Sequence, residues 1–251
     1  NFEINDWLDG LLATNEQARV WYATAPGSRQ YPADVFNVTQ DLGNYTIQGA
    51  IDEANADDVI EVADGTYEEN LLIDLPIVLK SVNGKDVTTI EGVSGEGSLG
   101  TIQVTNNTDG LQIGAVDQGF TIIGIDNNNP GIENAAIYFQ GGHNNATIQY
   151  NEIQANGDAG LMAEYNASVS NFTIDNNIFS GKTYLGDNPA GDGFDNQFNL
   201  ANVPRQLVVF GGGSSGTNTQ DITFTNNTIN GTAGGYNISG AEQGNTLVTI
   251  D

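Results

Sequence analysis

Apolar and polar residues alternate along this chain in short bursts, and the bursts recur. Ala146-Thr-Ile-Gln-Tyr-Asn-Glu-Ile153, Phe172-Thr-Ile-Asp-Asn-Asn-Ile-Phe179 and Ile222-Thr-Phe-Thr-Asn-Asn-Thr-Ile229 align with one another, with Phe120-Thr-Ile122 before them and Val248-Thr-Ile250 after. The marker threonines are 121, 147, 173, 223 and 249, at spacings of 26, 26, 50 and 26. Each is polar between two apolar neighbours, the period-2 pattern of a half-buried strand. Asn151, Asn177 and Asn227 follow four residues later, and asparagine suits the left-handed backbone of a tight turn. Two residues beyond them stand Ile153, Phe179 and Ile229, apolar again.

A strand, an asparagine turn and a second strand, repeated every ~25 residues, describe one coil of a stack in which no coil buries its inner face alone. The expected fold is all-β, a parallel β-helix. A β-sandwich of hairpins is the alternative, and it leaves the recurrence of identical columns at a long period unexplained.

Ahead of the repeat, Ile47, Ala50, Ile51 and Ala54 have the spacing of one helical face, with Thr46 as N-cap. The pattern predicts a short helix over 46–55 that covers one end of the core, where open edges would otherwise pair with other chains. Thr46-Ile-Gln-x-Ala-Ile51, Val59-Ile-x-Val62, Gly65-Thr-Tyr67, Glu69-Asn70 and Thr89-Ile-x-Gly92 resemble the opening of the pectin-lyase-like superfamily, in its secreted and cell-surface group. The resemblance is carried by residues 45 to 92 and beyond them by the repeat. It implies a right-handed β-helix of about seven coils. Because that superfamily spans lyases, hydrolases, esterases, epimerases, tailspikes and adhesins, it implies a fold and not an activity.

Domain organisation follows. Residues 45–251 form the β-helix. Residues 1–44 form an arm expected along its flank, with Trp7, Leu8, Leu11 and Leu12 giving a helical segment an apolar side. Thr249 is still on the repeat, so the C-terminal end is expected to dock on a further domain or a second copy, as part of a larger protein. The 50-residue step between Thr173 and Thr223 holds either a degenerate coil or an insertion. The insertion is favoured, because Leu207-Val-Val-Phe210 matches Ala136-Ile-Tyr-Phe139 and Gly160-Leu-Met-Ala163. It would occupy 180–206.

Charge changes the picture of partners. The 251 residues carry 32 acidic against 6 basic side chains, a net charge of -26. Such a surface lacks the basic patches that hold phosphates, which excludes nucleic acid and anionic membranes as partners. No apolar run approaches the ~20 residues of a membrane span. Cysteine is absent, so there is no disulfide frame and no thiolate metal site. Together these predict an extracellular protein, secreted or at the cell surface, whose partner is a polysaccharide or cell-surface glycan. Sequons at Asn145, Asn171 and Asn226 are attributed to the repeat's need for Asn and Thr.

Candidate chemistry gathers in the irregular coil, since a long loop in a compact domain is usually functional or disordered. Tyr184, Phe194 and Phe198 are candidate substrate-binding residues. Asp187, Asp192 and Asp195, spaced by glycine turns, offer hard oxygen ligands for Ca2+. Lys182 and Arg205 flank the loop. Polysaccharide lyases of this fold, including the chondroitinase-B and alginate-lyase group, combine a lysine base, an arginine and Ca2+ to eliminate across a uronic acid, where the base takes the C5 proton and the cations hold the developing charge. Lys182 and Arg205 are therefore the candidate catalytic pair if the protein is a calcium-assisted lyase. Asn107-Thr-Asp-Gly110 resembles a polygalacturonase motif, but that motif's partners are missing and the tetrapeptide is an ordinary turn. His143, the single histidine, is expected in a surface turn. The leading reading is a non-catalytic module that binds glycan or serves as an adhesive or structural spacer.

Overall fold

The computed structural model describes residues 34–94, 98–105, 108–125, 134–156, 159–163, 169–181, 206–210, 220–230, 236–238 and 246–250. Its opening hairpin, β1 (Val35–Asn37) and β2 (Leu42–Asn44), precedes helix α1 (Ile47–Asp52). The chain then visits three sheets, A, B and C, in strict rotation. The rounds are β3 (Val59–Val62), β4 (Gly65–Glu68) and β5 (Leu71–Ile73); β6 (Val78–Ser81), β7 (Thr88–Glu91) and β8 (Gly100–Val104); β9 (Gln112–Ile113), β10 (Thr121–Ile123) and β11 (Ala135–Phe139). They continue with β12 (His143–Asn144) and β13 (Thr147–Gln149) together in sheet A, β14 (Glu152–Ala155) and β15 (Ala159–Ala163); β16 (Val169–Asp175), β17 (Ile178–Gly181) and β18 (Gln206–Phe210); β19 (Gln220–Thr225), β20 (Thr228–Asn230) and β21 (Tyr236–Ile238), ending in sheet A with β22 (Thr246–Ile250). Each of these strands lies parallel to its counterpart one round away, which is a parallel β-helix. Among the described residues, antiparallel pairing is confined to β1, with β2 on one side and β3 on the other.

Register stacks like on like. In sheet A, Ile60, Leu79, Ile113, Ile148, Ile174 and Phe224 form one inward column. In sheet B the column is Tyr67, Ile90, Ile122, Ile153 and Phe179. In sheet C, Phe139 stands between Val104 and Ala163, so a large ring is flanked by smaller residues, and it meets Phe172 edge-on at 5.1 Å. Nearly all of these side chains are fully buried, each contributing roughly 1.5–3 kcal/mol of burial free energy.

The register corrects the threonine column. Thr147, Thr173, Thr223 and Thr249 do align in sheet A, but Thr147 pairs back to Gln112. Thr121 lies in sheet B, beside Thr89 and Glu152. Its spacing of 26 from Thr147 is a coincidence, to which the long link between β10 and β11 contributes. Because Thr173 pairs directly with Thr223, the 50 residues between them make one circuit.

The asparagine column also differs in role. The left-handed residues are Tyr150, Asn176 and Asn226, with φ of 58°, 54° and 54°, one position earlier than expected. Asn151 and Asn177 are buried and form a ladder with Asn227. Asn151 N donates to Asn177 Oδ1 at 3.0 Å and Asn177 N to Asn227 Oδ1 at 2.9 Å. Their amides donate to the carbonyls of Ile113, Ile148 and Ile174. A turn inside a stack must satisfy backbone groups that no ladder reaches, and a primary amide does so both up and down the stack.

Helix α1 is shorter than 46–55 but begins as expected. Gly49 N donates to Thr46 Oγ1 at 3.1 Å, and Ile47, Ala50 and Ile51 are buried in the common core. The carboxylate of Glu69 accepts from Ile47 N and Gln48 N, each at 3.0 Å, placing negative charge where the helix dipole favours it. The Gln48 side chain takes both backbone groups of Leu72 on β5, serving that edge strand as a substitute partner. Asn70 bonds the backbone of Val93 in both directions, and Tyr67 Oη lies within donating reach of the Asp34 and Ala63 carbonyls. Burial pushes the Tyr67 phenol up to about 12, with help from Asp34, Glu69 and Asp64. The residues that carry the family resemblance thus do structural work.

Candidate functional site

Between sheets A and B the chain turns sharply, and these turns stack into a corner. Three of them, at 82–87, 114–120 and 150–151, enclose a cleft of about 250 Å3 lined by Asn83, Gly84, Lys85, Asp86, Asp117 and Tyr150. Gly84, Asp117 and Tyr150 all have left-handed φ, of 92°, 57° and 58°. A Cβ on Gly84 would stand 2.7 Å from Asp117 O, so the two turns touch through backbone. Val82, Val87 and Val116, on the same two turns, are among the exposed large apolar residues.

Lys85 organises the polar side. Its Nζ bonds Asp86 and lies 3.7 Å from Glu152 Oε2, while its carbonyl accepts from Thr121 Oγ1 at 2.8 Å. The hydrogen bond to Asp86 raises the Lys85 pKa, the charges of Asp86 and Glu152 add to the rise, and partial burial opposes it. Lys85 is therefore a fixed cation at neutral pH and cannot accept a proton there. Lys80 buttresses the corner from beneath, bonding Glu61 at 3.0 Å and Gln118 at 3.1 Å. With Asp86 and Asp117 on its lining, and Asp86 and Glu152 beside its one ammonium, the cleft is net acidic.

Two features of the sequence mark this corner. Lys85 is one of six basic residues, and it sits in the turn Asn83-Gly-Lys-Asp86. Tyr150 breaks the repeat, occupying the position that Asn176 and Asn226 hold one and two circuits on.

The residues first expected to form a site, Lys182, Tyr184, Asp187, Asp192, Phe194, Asp195, Phe198 and Arg205, lie outside the described residues, as does Asn107. Among the described residues, no group of three or more His, Asp or Glu is placed to hold a metal ion, and no helix is long and apolar enough to cross a membrane.

His143 corrects its expectation. It is 1% exposed, on β12, edge-on to Phe139 at 5.1 Å. Nε2 meets the Gln140 carbonyl at 3.0 Å and Nδ1 meets Thr108 Oγ1 at 2.9 Å. A carbonyl only accepts, so the proton sits on Nε2 and the Thr108 hydroxyl donates to Nδ1. Glycines around His143 suggested a surface turn, but the ring fills the bend between sheets C and A. Burial lowers its pKa, outweighing the Gln140 bond and the charge of Asp109.

A pH prediction follows from the sign of that shift. A base whose folded pKa is depressed gives stability that is complete above its unfolded value of ~6.5 and is lost as pH falls toward the folded value. Acid also relaxes the repulsion of a chain at -26, so the histidine effect is read as a difference. The melting-temperature advantage of the native protein over His143→Gln should be constant above pH ~6.5 and shrink below it. A constant difference down to pH ~5 would refute the depressed pKa. Asp58 and Asp175 act at lower pH. Burial alone would raise both, but hydrogen bonds from Asn37, Asn55 N and Gln40, and from Thr225, Asn226 and Asn176, hold them below the usual carboxylate range.

No protein-family model matches the chain, and no curated protein does. Among solved structures, the chain is similar to a mutant pectin methylesterase in complex with a hexasaccharide, at 17% identity and a TM-score of 0.38, over 73% of this chain and 61% of that one. The chain thus spans about three fifths of that structure's length. The likeness is one of coarse architecture.

Proposed function

We propose that this protein is an extracellular, non-catalytic glycan-binding module: a right-handed coil of stacked circuits, closed at one end by α1, that holds a saccharide in the corner cleft between sheets A and B. The observation that carries the reading is Tyr150. A bulky residue at φ 58° is strained by about 1–2 kcal/mol, and such strain persists where it serves a site. Relatives of this turn within the same chain use asparagine, which tolerates that backbone. The tyrosine instead brings to the cleft a ring on which the apolar face of a sugar can lie. Asn83, Asp86 and Asp117 bring acceptors and donors for sugar hydroxyls, the mix of apolar wall and few polar groups that small-ligand sites use. Lys85 supports binding over elimination, because a lysine held charged by two carboxylates is no general base.

The test is the substitution the repeat itself suggests. Tyr150→Asn should keep or raise stability by ~0.5–1 kcal/mol, because strain is relieved, and should weaken saccharide binding at least ~10-fold. Affinity electrophoresis through gels containing galactan, β-glucan, pectate or alginate reads the binding, and a thermal melt reads the stability. Retardation unchanged by Tyr150→Asn would overturn the site. Accumulation of unsaturated uronate on pectate or alginate would overturn the non-catalytic role.

A further inference from the structure

Lys80 and Lys85 are the only Lys or Arg side chains among the described residues, and both are already neutralised. Lys80 Nζ lies 3.0 Å from Glu61 Oε1. Lys85 Nζ is held by Asp86 and lies 3.7 Å from Glu152 Oε2. The single histidine is 1% exposed, inside the bend between sheets C and A. Carboxylates outnumber the ammonium at the corner. Asp86 and Asp117 line the cleft, Glu152 stands beside Lys85, and Asp64 accepts from Asn83 Nδ2 at 2.9 Å.

A uronate carboxylate brought to this cleft meets no unpaired cation among the described residues. It must draw Lys85 away from Asp86 or Glu152, or lie beside their charges without a partner. Like charges set together at an interface oppose binding strongly, and an anion gives up water only for an opposite charge. A neutral sugar meets neither cost. Its hydroxyls donate to the carboxylates, and a hydrogen bond to an ionised acceptor is stronger than one between neutral groups. The rim points the same way. Val82, Val87 and Val116 are 42%, 46% and 63% exposed, and each is next in sequence to a lining residue: Asn83, Asp86 and Asp117. Apolar surface of this kind gains from the C–H face of a sugar, whereas a carboxylate over it loses water for no return.

Resting on the saccharide site proposed above, we infer that the corner cleft takes neutral saccharides and turns uronate polymers away. Tyr150 supplies the platform, and the carboxylates that flank Lys85 set the specificity. The cleft then discriminates by charge, against acidic polymers, as well as by shape.

Matched polymers that differ in charge and little else provide the test: polygalacturonate and its methyl ester, and carboxymethyl and hydroxyethyl β-glucan, with galactan as a further neutral probe. The full chain and its Tyr150→Asn variant are run by affinity electrophoresis through gels of each. EDTA is present throughout, so that no divalent ion bridges one carboxylate to another. At least one neutral polymer should retard the native protein in a Tyr150-dependent manner, at least ~10-fold more strongly than its acidic counterpart. Glu152→Gln, which removes one of the two carboxylates from Lys85, should narrow that preference at least ~3-fold. Tyr150-dependent retardation by an acidic polymer that equals or exceeds that of its neutral counterpart would overturn the inference and leave the site standing. A preference untouched by Glu152→Gln would overturn the role given to the carboxylates around Lys85. If no polymer shows Tyr150-dependent retardation, the saccharide site itself falls, and the charge selection with it.

Discussion

Asn177→Leu will cost about 3–5 kcal/mol of unfolding free energy, although leucine is nearly isosteric and the site is buried. The Asn177 amide donates to Ile148 O at 2.8 Å, and its carbonyl oxygen accepts from Asn151 N at 3.0 Å and Asn151 Nδ2 at 3.2 Å. Leucine leaves Ile148 O and Asn151 N without these partners at the bend of the stack. Asn151 N is orphaned outright, which costs roughly 1–3 kcal/mol, Ile148 O keeps only its ladder donor, and the gain in apolar burial is small. Asn151 Nδ2 keeps the Ile113 and Gln149 carbonyls, so the damage centres on Asn151 N and Ile148 O and does not run down the ladder. Asn227→Leu should cost less, about 1–2 kcal/mol, because Asn227 is half-buried and water can replace part of what is lost. Urea denaturation of both variants gives the ratio. Equal losses at 177 and 227 would show that the ladder acts through packing and not through its hydrogen bonds.

That ladder marks how far the sequence could be read. The repeat in threonine and apolar flanks was legible because period-2 burial leaves a direct trace in residue type, and the columns at 147, 173, 223 and 249 follow it. The asparagines were legible as turn residues but not in their role. Asparagine is favoured both for left-handed φ and for bonding backbone, and Asn176-Asn177 places one of each side by side. Spacing alone cannot say which does which. Thr121 shows the complementary failure. Each circuit's length is the sum of three strands and three connections, and the long link between β10 and β11 set the count so that a residue of sheet B matched the spacing of sheet A. His143 failed because Gly-Gly-His-Asn reads as an exposed turn, whereas Gly141 takes a left-handed φ of 83° at a bend where the ring that follows is buried.

The site was less legible than the fold for a related reason. The motif residues around 45–92 carry a strong pattern because they solve structural problems shared by any such stack: a helix end for Glu69, an edge strand for Gln48, a strand junction for Asn70 and a buried phenol at Tyr67. Function on this scaffold is written in departures from the pattern. A tyrosine where the column has asparagine and a lysine in a chain of net charge -26 are such departures. They are single residues, however, and single residues stand out only once the register has aligned them.

Gly119→Ala is expected to be the second most damaging change, at about 3 kcal/mol or more, and it joins fold to cleft. A Cβ at position 119 would lie 2.0 Å from Tyr150 O, 2.4 Å from Tyr150 C and 2.9 Å from Asn151 N. All three atoms are backbone, so no rotamer change relieves the contact and the two circuits must separate. Separation stretches Phe120 N to Asn151 Oδ1, now 2.9 Å, and Glu152 N to Phe120 O, now 2.8 Å. It also shifts Tyr150, so any saccharide binding should fall with stability. Gly110 is the control. It has φ 97°, and a Cβ there would meet nothing within 4 Å, so Gly110→Ala carries backbone strain alone, about 1–2 kcal/mol. Thermal melts of the two variants separate the effects. If Gly119→Ala melts as high as Gly110→Ala, the circuits are not in backbone contact at Tyr150, and the close stacking that strains Tyr150 and shapes the cleft would have to be abandoned.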